Sequence, residues 1–270
     1  MNPLIRTILH PTDLSNLSIA ALVHALRIGL ATESTLYVLH VSENGTEERQ
    51  HYPHVQNLLV QWGVWDESDP PTAIANKLRL NLENVTVEKQ NPVEGILHFL
   101  NQHSCDLVVL GTNGRDGLDH WLRGSVAEAV FSRSAVSTLF VPRGSRGFVD
   151  QVSGAVRLRR VLVPVDHSPA PFKAIEAAQG FPALLAKAQI KRQLLHVGHK
   201  RPNLHGDTDS ITLRNGNVVQ TILDAAIEYD VDFICMPTAG HHGILDALRG
   251  STTERVIRHA PCPVLAIPAV

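Results

Sequence analysis

Three glycines and a serine at fixed spacing are the residues best suited to chemistry. Gly111, Gly114, Gly124 and Ser125 lie in the run GTNGRDGLDHWLRGS, between an apolar stretch and an amphipathic one. Glycine where a strand ends allows close backbone approach to a ligand and permits positive φ. Gly124-Ser125 opening a helix presents unpaired N–H groups and the positive end of the helix dipole, an anion site suited to a phosphate chain. Arg115 and Arg123 add positive charge nearby. Ser125-Val126-Ala127-Glu128 also has the S-x-x-E form of a capping box, so the serine serves as helix cap, as phosphate ligand, or as each in turn. Ser251-Thr252-Thr253-Glu254 has the same form. No G-K-[ST] occurs, so the lysine of a Walker A loop is missing, and no nucleophilic triad or carboxylate pair adjoins the loop.

The elements that must position these residues are repeated. Thr7–Asp13 (TILHPTD) matches Arg160–Asp166 (RVLVPVD) at an offset of 153, and Leu122–Ser125 matches Leu248–Ser251 at an offset of 126. The second copy is therefore 27 residues shorter between these anchors. Each copy alternates apolar runs with helical stripes, the pattern of a parallel sheet covered by helices. Strands are expected at Ile5–Pro11, Thr35–Val41, Val85–Lys89, Leu107–Gly111 and Thr138–Pro142. In the second copy they are expected at Val161–Val165, Gln193–Val197, Ile211–Arg214, Phe233–Pro237 and Val264–Pro268. The deletion falls between the second and third strands of the second copy, which predicts that this crossover has lost its helix. We expect domains at 1–143 and 159–270, joined by a linker at 144–158. Segment 44–83, with Trp62 and Trp65, reads as added core or as a lid or interface.

These motifs resemble the universal stress protein family. Its ATP-binding members share Gly, two residues, Gly, nine residues, Gly and then Ser or Thr, which Gly111, Gly114, Gly124 and Ser125 fit without a gap. ILHPTDLS (8–15), SAVSTLFVP (134–142) and HAPCPVLAIP (259–268) are also similar to that family. The resemblance implies two tandem doubly wound domains, each a five-stranded parallel sheet flanked by helices. The type is Rossmann-like and adenine nucleotide alpha hydrolase-like. It implies ATP with Mg or Mn in a crevice at the strand carboxyl ends. Asp13 would face the nucleoside, although it also suits the cap of the following helix. The backbone at Val41 would read the adenine. Asp166, Gly240, Gly250 and Ser251 are the second-copy counterparts, but Pro237 replaces the first glycine, and proline has no N–H to donate. Weak nucleotide binding, none, or another ligand is expected there. Members that cleave ATP at the α-phosphate use an SGG-type loop after the first strand, where this chain reads Pro11–Ser15. The family's pairing through last strands implies an intramolecular pseudo-dimer, Leu139–Val141 beside Leu265–Ile267, with higher assembly left open. The implied role is a regulatory ATP-binding protein of stress response, against a slow metal-dependent ATPase or a scaffold whose second half holds a metal or metabolite.

Histidines are numerous, 15 in 270 residues. His199, His205 and His241, with Asp207 and Asp209, leave one sheet edge of the second copy and are zinc candidates, although none has helical i, i+4 spacing. Without convergence they are polar-loop residues, with His196 a strand-end counterpart of His40. His10, His24, His51 and His54 read as surface or strand-end positions. The three cysteines, Cys105, Cys235 and Cys262, lack metal spacing and read as reduced thiols of a cytoplasmic protein. A net charge of −2 gives no footprint for nucleic acid or an anionic membrane. No run approaches the roughly 18 apolar residues of a membrane span.

Overall fold

The computed structural model describes residues 5–15, 18–43, 52–112, 126–186, 189–204, 210–238 and 251–268. The first copy contributes β1 (Thr7–Thr12), β2 (Thr35–Ser42), β3 (Asn81–Glu88), β4 (Leu107–Thr112) and β5 (Thr138–Pro142). The second contributes β6 (Arg160–Pro164), β7 (Lys191–Val197), β8 (Ile211–Arg214), β9 (Phe233–Thr238) and β10 (Val264–Pro268). All ten form one sheet in the order β3-β2-β1-β4-β5-β10-β9-β6-β7-β8. Each copy is parallel within itself, and the two join through antiparallel β5 and β10, with Leu139 opposite Leu265 and Phe140 opposite Val264. This is the last-strand pairing expected of a pseudo-dimer.

Central strands are buried on both faces, which is why they read as near-continuous apolar runs. Helix α1 (Ile19–Thr32) lies over one face, together with α2 (Val55–Gln61) and α3 (Ile74–Leu78). The other face of the first copy carries α4 (Pro92–Gln102) and α5 (Val126–Ser134). In the second copy α6 (Phe172–Leu185) matches α1, while α7 (Val218–Glu228) and α8 (Thr252–His259) match α4 and α5. Equivalent asparagines start α4 and α7. Asn91 Oδ1 accepts from Val93 N at 2.9 Å, and Asn217 Oδ1 from Gln220 N at 3.2 Å. Among the described residues between β7 and β8 there is no α-helix, and Ser210, next to β8, lies in a 3-10 turn. No described helix is long and apolar enough to cross a membrane.

Strand β3 begins at Asn81, four residues before the expected start. It lies at the sheet edge with exposed Asn81, Glu83 and Asn84, so its first half lacks the apolar signature of an inner strand. The connector also differs from a plain linker. A Val149–Val156 bridge closes a short hairpin, and Phe148 is fully buried. Its ring lies 4.5 Å from His24 on α1, 6.1 Å from Phe181 on α6 and 6.0 Å from Phe233 on β9, so one connector side chain touches both copies. Of segment 44–83, residues 44–51 lie outside the described residues, and Leu59, Trp62, Trp65 and Leu80 are buried in the core. Trp62 Nε1 donates to Gln151 O at 3.0 Å. The indole covers Gly154, whose φ of +66° and lack of a side chain the contact requires, because a Cβ there would meet the ring at 2.4 Å.

A repeated carboxylate not foreseen from the sequence ties strand starts together. Asp106 Oδ2 accepts from the N–H groups of Arg6 and Thr7 at 2.8 and 2.9 Å. Asp232, 126 residues later and buried, accepts from Arg159 N at 2.6 Å and Arg160 N at 2.9 Å. Its other oxygen accepts from Arg146 Nη2 of the connector at 3.1 Å. Asp232→Asn leaves one acceptor oxygen for two sets of donors, so its NH2 opposes either the backbone pair or Arg146, and it is expected to cost about 2–3 kcal/mol in urea unfolding. The more exposed Asp106→Asn should cost less.

Candidate functional site

Strands β1 and β4 separate early. Their ladder pairs only Ile8 with Leu107 and Leu9 with Val108, although β1 runs on to Thr12 and β4 to Thr112. The second copy does the same, pairing only Val161 with Phe233 and Leu162 with Ile234. At this point the strand order reverses direction, and a doubly wound sheet opens a crevice beyond its strand carboxyl ends there.

In the first copy the crevice is bounded by the turn after β1 and by the end of β4. Thr12 Oγ1 bonds Ser18 Oγ at 2.9 Å and accepts from Leu14 N at 3.0 Å, which shapes the approach to α1. Leu14 adopts φ 61°, in the left-handed region. Asp13 is exposed, and its Oδ1 accepts from Ser15 N at 3.0 Å and Ser15 Oγ at 2.6 Å. Asp13 thus forms an Asx turn rather than the helix cap that was the alternative for it, since Ser18 occupies the N-cap position of α1. Gly111 is exposed, and among the described residues a Cβ there would meet only the Cβ of Ala21, at 3.7 Å. Its contribution is therefore an open floor beside the first turn of α1, within an extended strand. Val41 is the penultimate residue of β2, with its side chain packed toward Gly95 of α4 and its backbone near the strand carboxyl end. Gly114, Gly124 and Ser125 lie outside the described residues, and α5 begins at Val126.

His40 Nδ1–H donates to Thr12 O at 3.0 Å, and His196 Nδ1–H donates to Val165 O at 2.9 Å. The two are the strand-end counterparts their spacing indicated, each holding the carbonyl just before Asp13 or Asp166. His10 and His24 are not surface positions. His10 is fully buried on β1, where its Nδ1–H donates to Val109 O at 3.0 Å, and burial drives its pKa down to about 4. His24 is likewise driven to about 4 by burial. Its Nδ1–H donates to Ala20 O at 2.6 Å, and Nε2 accepts from Phe148 N at 3.1 Å and Val149 N at 3.3 Å. The second partner set lies more than a hundred residues away, so only the folded chain reveals it.

The second-copy crevice is built differently. Pro237 stands where the first copy has Gly111, and it is buried where Gly111 is exposed. Asp166 is exposed, accepts from His167 N at 2.7 Å and lies 3.8 Å from His196 Nδ1. The His167 and His196 rings meet edge to face at 6.0 Å. Ser251 caps α8 by accepting from Glu254 N at 3.1 Å, as the S-x-x-E pattern indicated, while the Glu254 carboxylate accepts from Arg258 at 2.6 Å. Gly240 and Gly250 lie outside the described residues. So do His205 and His241, which leaves only exposed His199 of the three zinc candidates described. No group of three or more histidines, cysteines or acids placed to hold a metal occurs among the described residues. All three cysteines are unpaired, and burial raises each thiol pKa, that of Cys105 to about 11.

The universal stress protein family model matches residues 4–142 and 182–268. A universal stress protein of Methanocaldococcus jannaschii is 28% identical over 159 residues, covering 52% of this chain and 84% of that one. A second, from Mycobacterium tuberculosis, is 28% identical over 116 residues, covering 40% of this chain and only 38% of its own length. Among solved structures, a universal stress protein from Archaeoglobus fulgidus aligns with a TM-score of 0.65 at 19% identity, covering 98% of each chain. A putative universal stress protein from Pseudomonas aeruginosa aligns with a TM-score of 0.63 at 17% identity, covering 98% of this chain and 93% of that one. At these identities the structural likeness shows the fold.

Proposed function

The chain belongs to the universal stress protein family, and from that premise we propose that its first copy binds an adenine nucleotide in the crevice between β1 and β4. The observation that carries the reading is the contrast at one strand position. Gly111 leaves the crevice floor open beside α1, whereas buried Pro237 occupies the same position in the second copy. In this reading Asp13 faces the ribose, the Val41 backbone meets the base, and Gly111, Gly114, Gly124 and Ser125 hold the phosphates at the entrance to α5. Mg or Mn accompanies the phosphates. The second copy, with Asp166, Gly240, Gly250 and Ser251 but without the first glycine, binds nucleotide more weakly. Binding, with turnover slow at most, fits a regulatory module of stress response in which occupancy rather than product carries the signal.

Calorimetric titration of ATP–Mg²⁺ into the wild type and into Gly124→Val tests the proposal. We expect one site per chain, with at least about a tenfold loss of affinity in the variant, the equivalent of about 1.4 kcal/mol. Equal affinity in both proteins removes the loop from the site, and no binding by the wild type ends the nucleotide reading.

A further inference from the structure

We propose that His10 is a positioning residue that sets how far β1 and β4 part at the mouth of the first-copy crevice. This rests on the nucleotide reading above. The main-chain ladder between the strands ends at Leu9 and Val108. At the next step the link is a side chain, with His10 Nδ1–H donating to the Val109 carbonyl at 3.0 Å. A carbonyl only accepts, so Nδ1 carries the proton and Nε2 presents a lone pair. Side chains two residues apart share a sheet face. His10 thus stands directly below Thr12, and Val109 below Gly111. The imidazole is a wedge under the two residues that border the opening.

The wedge carries a cost that the fold does not require. His10 is fully buried, and its Nε2 has no hydrogen-bond partner among the described residues. Burying such an acceptor unpaired is unfavourable. The second copy solves the same packing problem with Val163, also fully buried, opposite Cys235, whose Sγ–H donates to Ala174 O at 3.3 Å. The strands therefore part in both copies, yet only the copy with the open glycine floor has an imidazole bridging the gap. A residue that breaks a local rule without stabilising the fold marks function. Asp13, whose charge reaches His10, directly follows the same strand and shares in what the wedge positions.

The test uses the full chain carrying His10→Val, the second copy's own solution, and His10→Gln, whose side-chain amide can still donate to the Val109 carbonyl. His10→Val is expected to leave the melting temperature unchanged or raise it. Amide exchange at residues 12–13 and 110–112 should accelerate about tenfold, the equivalent of one lost hydrogen bond. ATP–Mg²⁺ affinity should fall about fivefold on the same basis. His10→Gln should hold both quantities within about twofold of wild type, a small fraction of one hydrogen bond. A lower melting temperature with unchanged exchange would make His10 an ordinary packing residue and overturn the proposal. Should the wild type bind no nucleotide, the functional reading fails separately, and the exchange rates alone decide the role of His10.

Discussion

Acidification from pH 7 to pH 4 should remove about 6 kcal/mol of folding stability through two histidines, His10 and His24. Both titrate near 6.5 when unfolded, and burial lowers each to about 4 in the native protein. Between those values the unfolded chain binds more protons than the folded one, so stability is complete above pH 6.5 and declines as pH falls toward 4. Each group accounts for about 3 kcal/mol over that range. Below pH 4 the loss levels off for the histidines. There Asp66, Asp150 and Glu228, held below the usual carboxylate range by Ser68, Ser153 and Arg214, act in the same direction. Urea unfolding at pH 7, 5.5 and 4 measures the decline, and His10→Val should remove about half of it. A flat profile would mean that neither imidazole stays neutral in the folded chain. The two losses differ in kind. Protonated His24 can no longer accept from Phe148 and Val149, so acid loosens the connector, whereas protonated His10 places an unsolvated charge between β1 and β4.

Phe148→Ala is the second large effect, with an expected loss of about 4 kcal/mol, in the range of fully buried aromatic truncations. The ring fills the space among His24, Phe181 and Phe233, so truncation opens a cavity where α1 and α6 meet above the sheet. Phe148→Leu, which refills part of that volume, should cost less than half as much. An unchanged denaturation midpoint for the alanine variant would reduce the connector to a tether.

The difference between the strands and the connector explains what could be seen in the sequence. Strands such as LVVL at 107–110 announce themselves because both faces are buried, and their repetition disclosed the tandem plan before any contact was known. The Ser251 cap was legible for the same local reason, since its partner stands three residues on. Phe148 had no such signal. It is one aromatic residue in a Gly-, Arg- and Ser-rich stretch, and its neighbours come from positions 24, 181 and 233. Asp106 and Asp232 sit at matching repeat positions, yet their partners are backbone amides about 70 to 100 residues away, which carry no side-chain signature. The site divides similarly. Gly111 and Asp13 could be chosen by motif, but the depth at which His10 lies follows from where a ladder stops, and only paired strands define that.

The antiparallel join of β5 and β10 has a consequence in terms of dilution. Two separate chains meeting through such strands would part as their concentration fell. The connector instead holds the partners at an effective concentration on the order of millimolar, whatever the amount of protein present. Assembly then no longer requires the partners to be identical. One copy can keep an open glycine and a buried histidine while the other replaces them with proline and valine.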